Sequence, residues 1–207
     1  MPRQPSPASH ANAPSPRTEP AAIRVDELMA AAEQLFLAQG EAATTIDEIV
    51  ELAGVAKGTF YHYFDSRQAL LEAMGQRYTT QYLERLEQAV QACGDEDWHQ
   101  RLSAWIRTSI MVYVETWKLH DIVYLPHHRD RHGQERHAIL AQLEDILLSG
   151  ERAGLWQLVQ ASVTAQLIYA GMHAVADEVI ASPQADQQAL IASVTEICLR
   201  MVVSHRV

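Results

Sequence analysis

The chain has 207 residues, a length that permits one or two domains with a sizeable hydrophobic core. Its formal net charge of −10 opposes nonspecific binding to nucleic acid, and it has no run of 18 apolar residues to span a membrane. Two cysteines, Cys93 and Cys198, offer neither metal-knuckle spacing nor a dense disulfide framework, which favours a reducing, cytoplasmic compartment. Abundant alanine, leucine, glutamine and glutamate with few glycines favour an all-α fold.

Residues 1–20 are rich in proline, serine and alanine, so we expect a disordered arm. The arm lacks an apolar core, so we expect no secretory signal there. Apolar residues then follow helical spacing from Ile23 to Gln39, and Gly40 is placed to end that helix. This helix is predicted to support the short helices that come next.

The stretch that starts at Thr45 predicts two short helices joined by a tight turn. Thr45 and Glu48 have the spacing of a capping box at the start of the first helix. Gly54 suits the left-handed backbone conformation of the turn. Phe60 and Phe64 lie four residues apart in the second helix, where they can pack inward and leave the polar side chains outside. This arrangement is a helix-turn-helix, whose second helix enters the DNA major groove.

The run AGVAKGTFYHYF at residues 53–64, followed by a helix opening at residues 65–67, resembles the DNA-binding signature of the TetR family of bacterial repressors. The resemblance covers roughly residues 22–81. It implies an all-α protein with an N-terminal three-helix, helix-turn-helix DNA-binding domain and a C-terminal helical bundle for ligand binding and dimerisation. It also implies DNA contacts from Thr45, Lys57, Gly58, Thr59, Tyr61, His62 and Arg67. The alternative is that the tyrosines of this run only pack within a small helical domain.

The local charge argues against this interpretation, because residues 21–78 contain four basic and nine acidic side chains, a net charge of −5. DNA-binding domains usually carry a basic footprint. Positive groups need to line only one face, however, and helix N-termini offer backbone donors that bind phosphate without net charge. We therefore expect modest, salt-sensitive affinity and poor binding to random DNA.

The remaining apolar patterns predict six further helical segments. They are Ser66 to Ala92, Trp98 to Leu119, a short helix from Asp121 to Leu125, Arg131 to Ala153, Ala161 to Ser182, and Gln184 to Ser204. The first segment would link a DNA-binding domain at residues 21–81 to a ligand-binding and dimerisation domain at residues 82–207. In the TetR family the last two helices pair with their copies, so the resemblance implies a homodimer through residues 161–204.

Aromatic and polar side chains recur along the predicted bundle, and bundles often hold ligands between their helices. Together with the resemblance, this pattern predicts a small-molecule inducer site. The candidate ligand-binding residues are Trp105, Tyr113, Trp117, Tyr124, Tyr169, Met172 and His173. The competing interpretation for each residue is that it belongs to the hydrophobic core.

Histidines are frequent between His120 and His137, and His128 and His132 have the four-residue spacing of metal ligands on one helix face. Arginines and acidic residues surround them, which is typical of a solvated helix start. We therefore expect no metal and no cofactor. The alternative that remains is a metal- or pH-responsive regulator that uses these histidines.

Catalysis is the other class to consider. We identify no Ser-His-Asp or Cys-His arrangement and no Gly-rich dinucleotide loop, so we expect no enzyme. The sequence therefore predicts a ligand-responsive, DNA-binding transcriptional regulator. Its predicted action is repression, with release from a palindromic double-stranded DNA operator by a small apolar molecule.

Overall fold

The computed structural model describes residues 21–124, 132–182, 184 and 186–202, without the side chains of residues 21–23 and 132–135. Within these ranges the chain forms eight α-helices and no strand, which confirms the predicted all-α class. The helices are α1 Ala21–Gln39, α2 Ile46–Leu52, α3 Lys57–Tyr63, α4 Arg67–Gln91, α5 Trp98–Tyr124, α6 His132–Arg152, α7 Ala161–Ala181 and α8 Gln187–Val202. Across the described residues, no helix is both long and apolar enough to cross a membrane. The proposed arm at residues 1–20 lies outside the described residues.

Helices α2 and α3 form the predicted helix-turn-helix. The capping box at α2 is present, since the backbone N–H of Thr45 donates to Glu48 Oε2 at 2.8 Å and the backbone N–H of Glu48 donates to Thr45 Oγ1 at 3.2 Å. Gly54 has a φ of +68°, a left-handed conformation that glycine adopts without strain. The N–H of Val55 then donates to the carbonyl of Val50 at 3.0 Å, which closes the turn between the helices.

One small hydrophobic core holds α1, α2, α3 and the start of α4 together, and we call this N-terminal unit the head. Fully buried side chains from four helices contribute to it: Leu28 and Phe36 from α1, Ile49 from α2, Phe60 from α3 and Leu70 from α4. The rings of Phe60 and Phe64 lie 5.7 Å apart, as their spacing predicts. Helix α4 begins in this head at its Ser66 cap and continues into the bundle without a break, so the proposed domain boundary at residue 81 falls inside one helix.

Helix α5 is the centre of the bundle and packs against α4, α6, α7 and α8. The predicted interruption after Leu119 is wrong, because α5 continues to Tyr124. Val123 and Tyr124 are both buried, and the Tyr124 hydroxyl donates to the carbonyl of Gly75 on α4 at 3.0 Å. These tertiary contacts stabilise the last turn of α5, which the polar residues near it had made look like an interruption in the sequence.

Candidate functional site

The outer face of α3 is the first candidate site. Lys57, Gly58, Tyr61 and His62 are exposed, whereas Thr59, which was also expected outside, is half-buried. Tyr61 keeps 49% of its surface exposed, although the edge of its ring contacts Phe60 at a centroid distance of 5.4 Å. A tyrosine that served only to pack the head would be expected to lose more of its surface. This face therefore offers a cation, a phenol and an imidazole to a partner.

Two polar groups at this face are already paired within the protein. Lys57 Nζ lies 2.7 Å from Asp47 Oδ1, and both side chains are exposed. The hydrogen bond from this ammonium to the Asp47 carboxylate raises the pKa of Lys57. The Thr45 hydroxyl donates to Glu48 Oε2 at 2.8 Å. Either residue must exchange its present partner before it can contact a phosphate.

Arg67, a predicted DNA contact, is hydrogen-bonded within the protein. One guanidinium nitrogen donates to the carbonyl oxygens of Glu41 and Thr44, at 2.7 Å and 2.8 Å, and the other pairs with Glu41 Oε1 at 2.7 Å. The N-terminus of α4 is thereby fastened to the turn between α1 and α2. Because its donors are engaged inside the protein, the geometry favours a bracing role for Arg67 over a phosphate contact.

Packing among the described residues does not explain why position 58 is a glycine. A Cβ built on this residue meets no atom within 4 Å, and its φ is not left-handed. Glycine in a helix costs about 1 kcal/mol relative to alanine. The protein's own fold therefore gives no advantage to glycine here, which leaves close approach by another molecule as a physical reason for it.

The second candidate site is a cavity of about 30 Å³ between α4, α5, α6 and α7. Its lining is aromatic and polar: Tyr78, Thr79, Tyr82, Tyr113, His120, Tyr124, Arg136, Ile139, Tyr169 and His173. Four predicted ligand-binding residues, Tyr113, Tyr124, Tyr169 and His173, therefore come together at this cavity. Space of this size accommodates about two water molecules.

Three predicted ligand-binding residues do not line this cavity. Trp105 is fully buried, and its Nε1 donates to Gln142 Oε1 at 2.8 Å, so it belongs to the core. Met172 is buried beside a narrow gap that adjoins the cavity, and Trp117 lies outside the lining. Which side of its helix faces the cavity decides whether a residue lines it, and the residue type alone does not reveal that orientation.

The sequence interpretation missed the contribution of α4. Tyr78, Thr79 and Tyr82 line the cavity. The two tyrosines belong to the row of mostly aliphatic, buried residues along α4, whose spacing predicts only hydrophobic core. Hydroxyl groups within an otherwise aliphatic stripe were the available signal. His120 and Arg136 were also missed as lining residues.

Most hydroxyl groups on the α4 and α5 walls are satisfied internally. Tyr78 bonds to Thr116 Oγ1 at 2.9 Å, Tyr82 bonds to the Ser109 hydroxyl, and Thr79 lies 2.5 Å from the Tyr124 hydroxyl. Burial raises the pKa of Tyr78 to about 12 and also raises the pKa of Tyr82. These phenols are therefore neutral near pH 7, and they present ring surfaces to the cavity.

The α7 wall presents polar atoms instead. His173 Nδ1 lies 3.0 Å from the backbone carbonyl of Tyr169, so this nitrogen donates and Nε2 of the neutral ring accepts. Burial lowers the pKa of His173, which favours that neutral form. The Tyr113 ring lies 4.9 Å from the rings of both His120 and His173.

The histidine cluster is divided by the fold. His120 lines the cavity and is 3.2 Å from Asp121, whereas His137 is exposed on α6. His127 and His128 lie outside the described residues, as does the His132 side chain. Across the part of the chain whose side chains are described, no three histidine, cysteine or acidic residues converge on a common metal position.

The last two helices expose apolar side chains at helical spacing. Val163 and Leu167 lie four residues apart on α7, and Ile197 and Met201 lie four apart on α8. Leu167 and Ile197 each keep more than half of their surface exposed, at 58% and 59%. Exposed apolar patches of this kind mark surfaces that other molecules cover.

Comparison with known proteins finds relatives that share the N-terminal part of the chain. The sequence model described as "Bacterial regulatory proteins, tetR family" matches residues 28–74. The chain is 34% identical over 90 residues to the HTH-type transcriptional repressor NemR of Escherichia coli, a match covering 44% of the chain and 45% of NemR. It is 32% identical over 96 residues to the HTH-type transcriptional regulator EthR of Mycobacterium tuberculosis, covering 46% and 43%. The chain thus spans about half the length of these curated relatives.

Solved structures are similar over nearly the whole chain. A protein of unknown function from Rhodococcus sp. RHA1 has a TM-score of 0.76 at 20% identity, covering 87% of this chain and 96% of that one. The transcriptional regulator FadR from Bacillus subtilis, solved in complex with stearoyl-CoA, has a TM-score of 0.68 at 21% identity, covering 84% and 97%. At these identities the likeness establishes the fold.

Proposed function

Because the chain belongs to the TetR family of bacterial regulatory proteins, we propose that it is a ligand-responsive transcriptional regulator that binds double-stranded DNA. Its action is repression, and a small, largely apolar molecule releases it from a palindromic operator. The observation that carries this proposal is the exposed face of α3, where a cation, a phenol and an imidazole surround a glycine that the fold does not require.

Helix α3 enters the major groove in this proposal. Tyr61 bonds to a phosphate through its hydroxyl, and Lys57 and His62 reach a phosphate or base edge. Gly58 lets the DNA backbone approach the start of α3 closely. Arg67 acts indirectly, because it keeps α4 fastened to the turn that precedes α2.

Dimerisation places two copies of α3 on one face of the DNA. The exposed apolar side chains of α7 and α8 pair with the same residues of a second copy, as expected for a two-fold interface. A two-fold dimer reads a palindrome, with half-sites about 34–36 Å apart or a multiple of that distance.

Ligand entry is coupled to DNA through α4. Ligand pockets typically measure about 300–1,000 Å³, so a ligand must widen the present cavity before it fits. Three lining residues lie on α4, whose N-terminal end Arg67 ties to the head. Arg77 adds a second tie, since it pairs with Glu33 of α1 at 3.3 Å. The ligand thus prefers the state with α4 displaced, and unequal affinity for the two states weakens DNA binding.

The test begins with selection of binding sites from random DNA by the purified chain. We expect recovery of a palindrome and a shift of that fragment by a dimer. Tyr61→Ala is expected to weaken this binding about tenfold or more without altering the dimer, because a hydrogen bond to a charged group contributes about 1.5–3 kcal/mol. Tyr61→Phe removes only the hydroxyl and keeps the ring contact with Phe60, so it distinguishes the hydroxyl's contribution to DNA binding from the ring's contribution to packing. Normal operator binding by Tyr61→Ala contradicts the orientation proposed for α3.

A further inference from the structure

We infer that the ligand is a small aromatic acid whose ring lies against the tyrosines of α4 and α5 and whose acid group binds among Arg136, Tyr169 and His173. This inference rests on the proposed function, because it names the class of molecule that the cavity recognises. It refines the expectation of an apolar ligand, since the cavity wall is divided into an aromatic side and a polar side.

The aromatic side follows from the hydrogen bonds already made on α4 and α5. The hydroxyls of Tyr78, Tyr82 and Tyr124 are bonded to neighbouring protein atoms, so these residues offer ring faces and edges to a ligand. Tyr78 and Tyr82 are nearly parallel, with 20° between their planes, and Tyr124 meets Tyr78 edge to face at 5.8 Å. Flat rings of a ligand are complementary to such a wall because aromatic pairs favour offset and edge-to-face contacts.

The polar side follows from the groups that remain available. The Tyr169 hydroxyl has no hydrogen-bond partner among the described residues, and its side chain is half-buried. His173 uses Nδ1 on a carbonyl, which leaves Nε2 as an acceptor on a ring that lines the cavity. The Arg136 guanidinium lies 5.5 Å from the centre of the Tyr169 ring. We call the part of the cavity formed by Arg136, Tyr169 and His173 the polar corner.

An acid group satisfies all three partners at once. The carboxylate carries no proton near pH 7, so His173 Nε2 takes up a proton from solvent and donates it to one carboxylate oxygen. The oxygens also accept hydrogen bonds from the Tyr169 hydroxyl and the Arg136 guanidinium. Arginine is suited to this role because its planar fork matches a carboxylate. A neutral amide of the same shape retains some of these hydrogen bonds but lacks the charge that Arg136 recognises.

A cationic ligand fits this corner poorly, although tyrosine rings can attract cations. Arg136 is itself a cation, and the described lining contains no aspartate or glutamate. Two carboxylates outside the lining contact lining residues, and both have partners. Asp177 accepts from the Tyr113 hydroxyl at 3.2 Å, and Asp121 pairs with His120 Nδ1 at 3.2 Å.

The test is calorimetric titration of the full chain with benzoate and 2-naphthoate. Benzamide and 2-naphthamide are matched neutral probes, and benzyltrimethylammonium is the cationic probe. We expect at least one acid to bind about tenfold more tightly than its amide, a difference of about 1.4 kcal/mol. Equal binding of acid and amide, tighter binding of the cation, or no binding of either acid overturns the inference.

Variants test the assignment of the corner. Arg136→Gln is expected to remove the preference for acid over amide by weakening acid binding more than amide binding. Arg152→Gln is the matched control, because Arg152, like Arg136, is an exposed arginine on α6 but does not line the cavity. An acid preference that survives Arg136→Gln overturns the inference. A circular dichroism spectrum confirms that each variant is folded.

Operator release separates this inference from the proposed function. Acid binding that depends on Arg136 but leaves operator binding unchanged supports the ligand class and contradicts ligand control of DNA. Operator release by a probe of another class, with no effect of either acid, supports the proposed function and overturns the ligand class.

Discussion

Lys57 and Asp47 form an ion pair between the two helices of the helix-turn-helix, with Nζ and Oδ1 2.7 Å apart. In the proposed complex with DNA, this lysine turns toward a phosphate and leaves Asp47 behind. The pair therefore opposes DNA binding modestly, and a negative charge stays near the DNA after the exchange. This arrangement would favour the expected poor binding to random DNA.

Asp47→Asn is consequently expected to tighten operator binding only modestly, about two- to fivefold, since an ion pair exposed to solvent contributes little. Fluorescence anisotropy with labelled operator at fixed salt measures the change. Glu51→Gln makes the same change in charge on the same helix and leaves the pair intact. Equal tightening by both variants would show a general effect of charge and would contradict the specific exchange at Lys57.

Arg67→Gln tests whether this arginine braces the head. Loss of its bonds to the carbonyls of Glu41 and Thr44 is expected to lower the free energy of unfolding by about 1.5–3 kcal/mol. Urea unfolding without DNA measures this loss. Arg67→Lys should be destabilised as well, because lysine cannot reproduce the planar fork. Unfolding curves that match the wild type, combined with weaker operator binding, would instead indicate a direct phosphate contact.

Leu167→Asp is expected to convert a dimer into a monomer. The substitution places a charge on an exposed apolar side chain of α7 that the proposed interface covers. Light scattering after size-exclusion chromatography measures the mass of the species in solution. Leu37→Asp is the matched control, because Leu37 is a partly exposed leucine on α1, away from that face. A dimer that persists in Leu167→Asp would place the interface elsewhere.

His173 makes stability depend on pH, with a sign set by its burial. Burial holds its pKa in the folded chain below the ordinary value of 6.5, so between those two values the unfolded chain binds more protons. The stabilising contribution is present above pH 6.5 and is lost as pH falls toward the lowered pKa. Urea unfolding between about pH 5 and 8 should show a weaker pH dependence for His173→Gln. Identical slopes for the two proteins would contradict this assignment.

The head was predictable because its signals are local. Thr45 and Glu48 are three residues apart, Phe60 and Phe64 are four apart, and Gly54 occupies the turn that requires left-handed backbone. Each of these features depends on chemistry within one turn of helix. The structure reproduces all three.

The features that sequence reasoning missed depend on contacts between distant residues. The Tyr124 hydroxyl in the last turn of α5 bonds to the carbonyl of Gly75, 49 positions earlier, and the Arg67 guanidinium bonds to a carbonyl 26 positions earlier. Helix rotation decides that Tyr78 lines the cavity and that Trp105 fills the core. Neither composition nor spacing contains that information.

The start of α3 offers the most direct test of the central claim that this helix is the DNA-contacting surface. Gly58→Ala adds one methyl group into open space. The free energy of unfolding of the isolated protein should therefore stay unchanged or increase, by up to about 1 kcal/mol from the higher helix propensity of alanine. The same methyl group would obstruct close approach of the DNA backbone. We predict that the operator dissociation constant of Gly58→Ala rises about tenfold, or about 1.4 kcal/mol, at unchanged or increased stability. An unchanged dissociation constant would contradict the account.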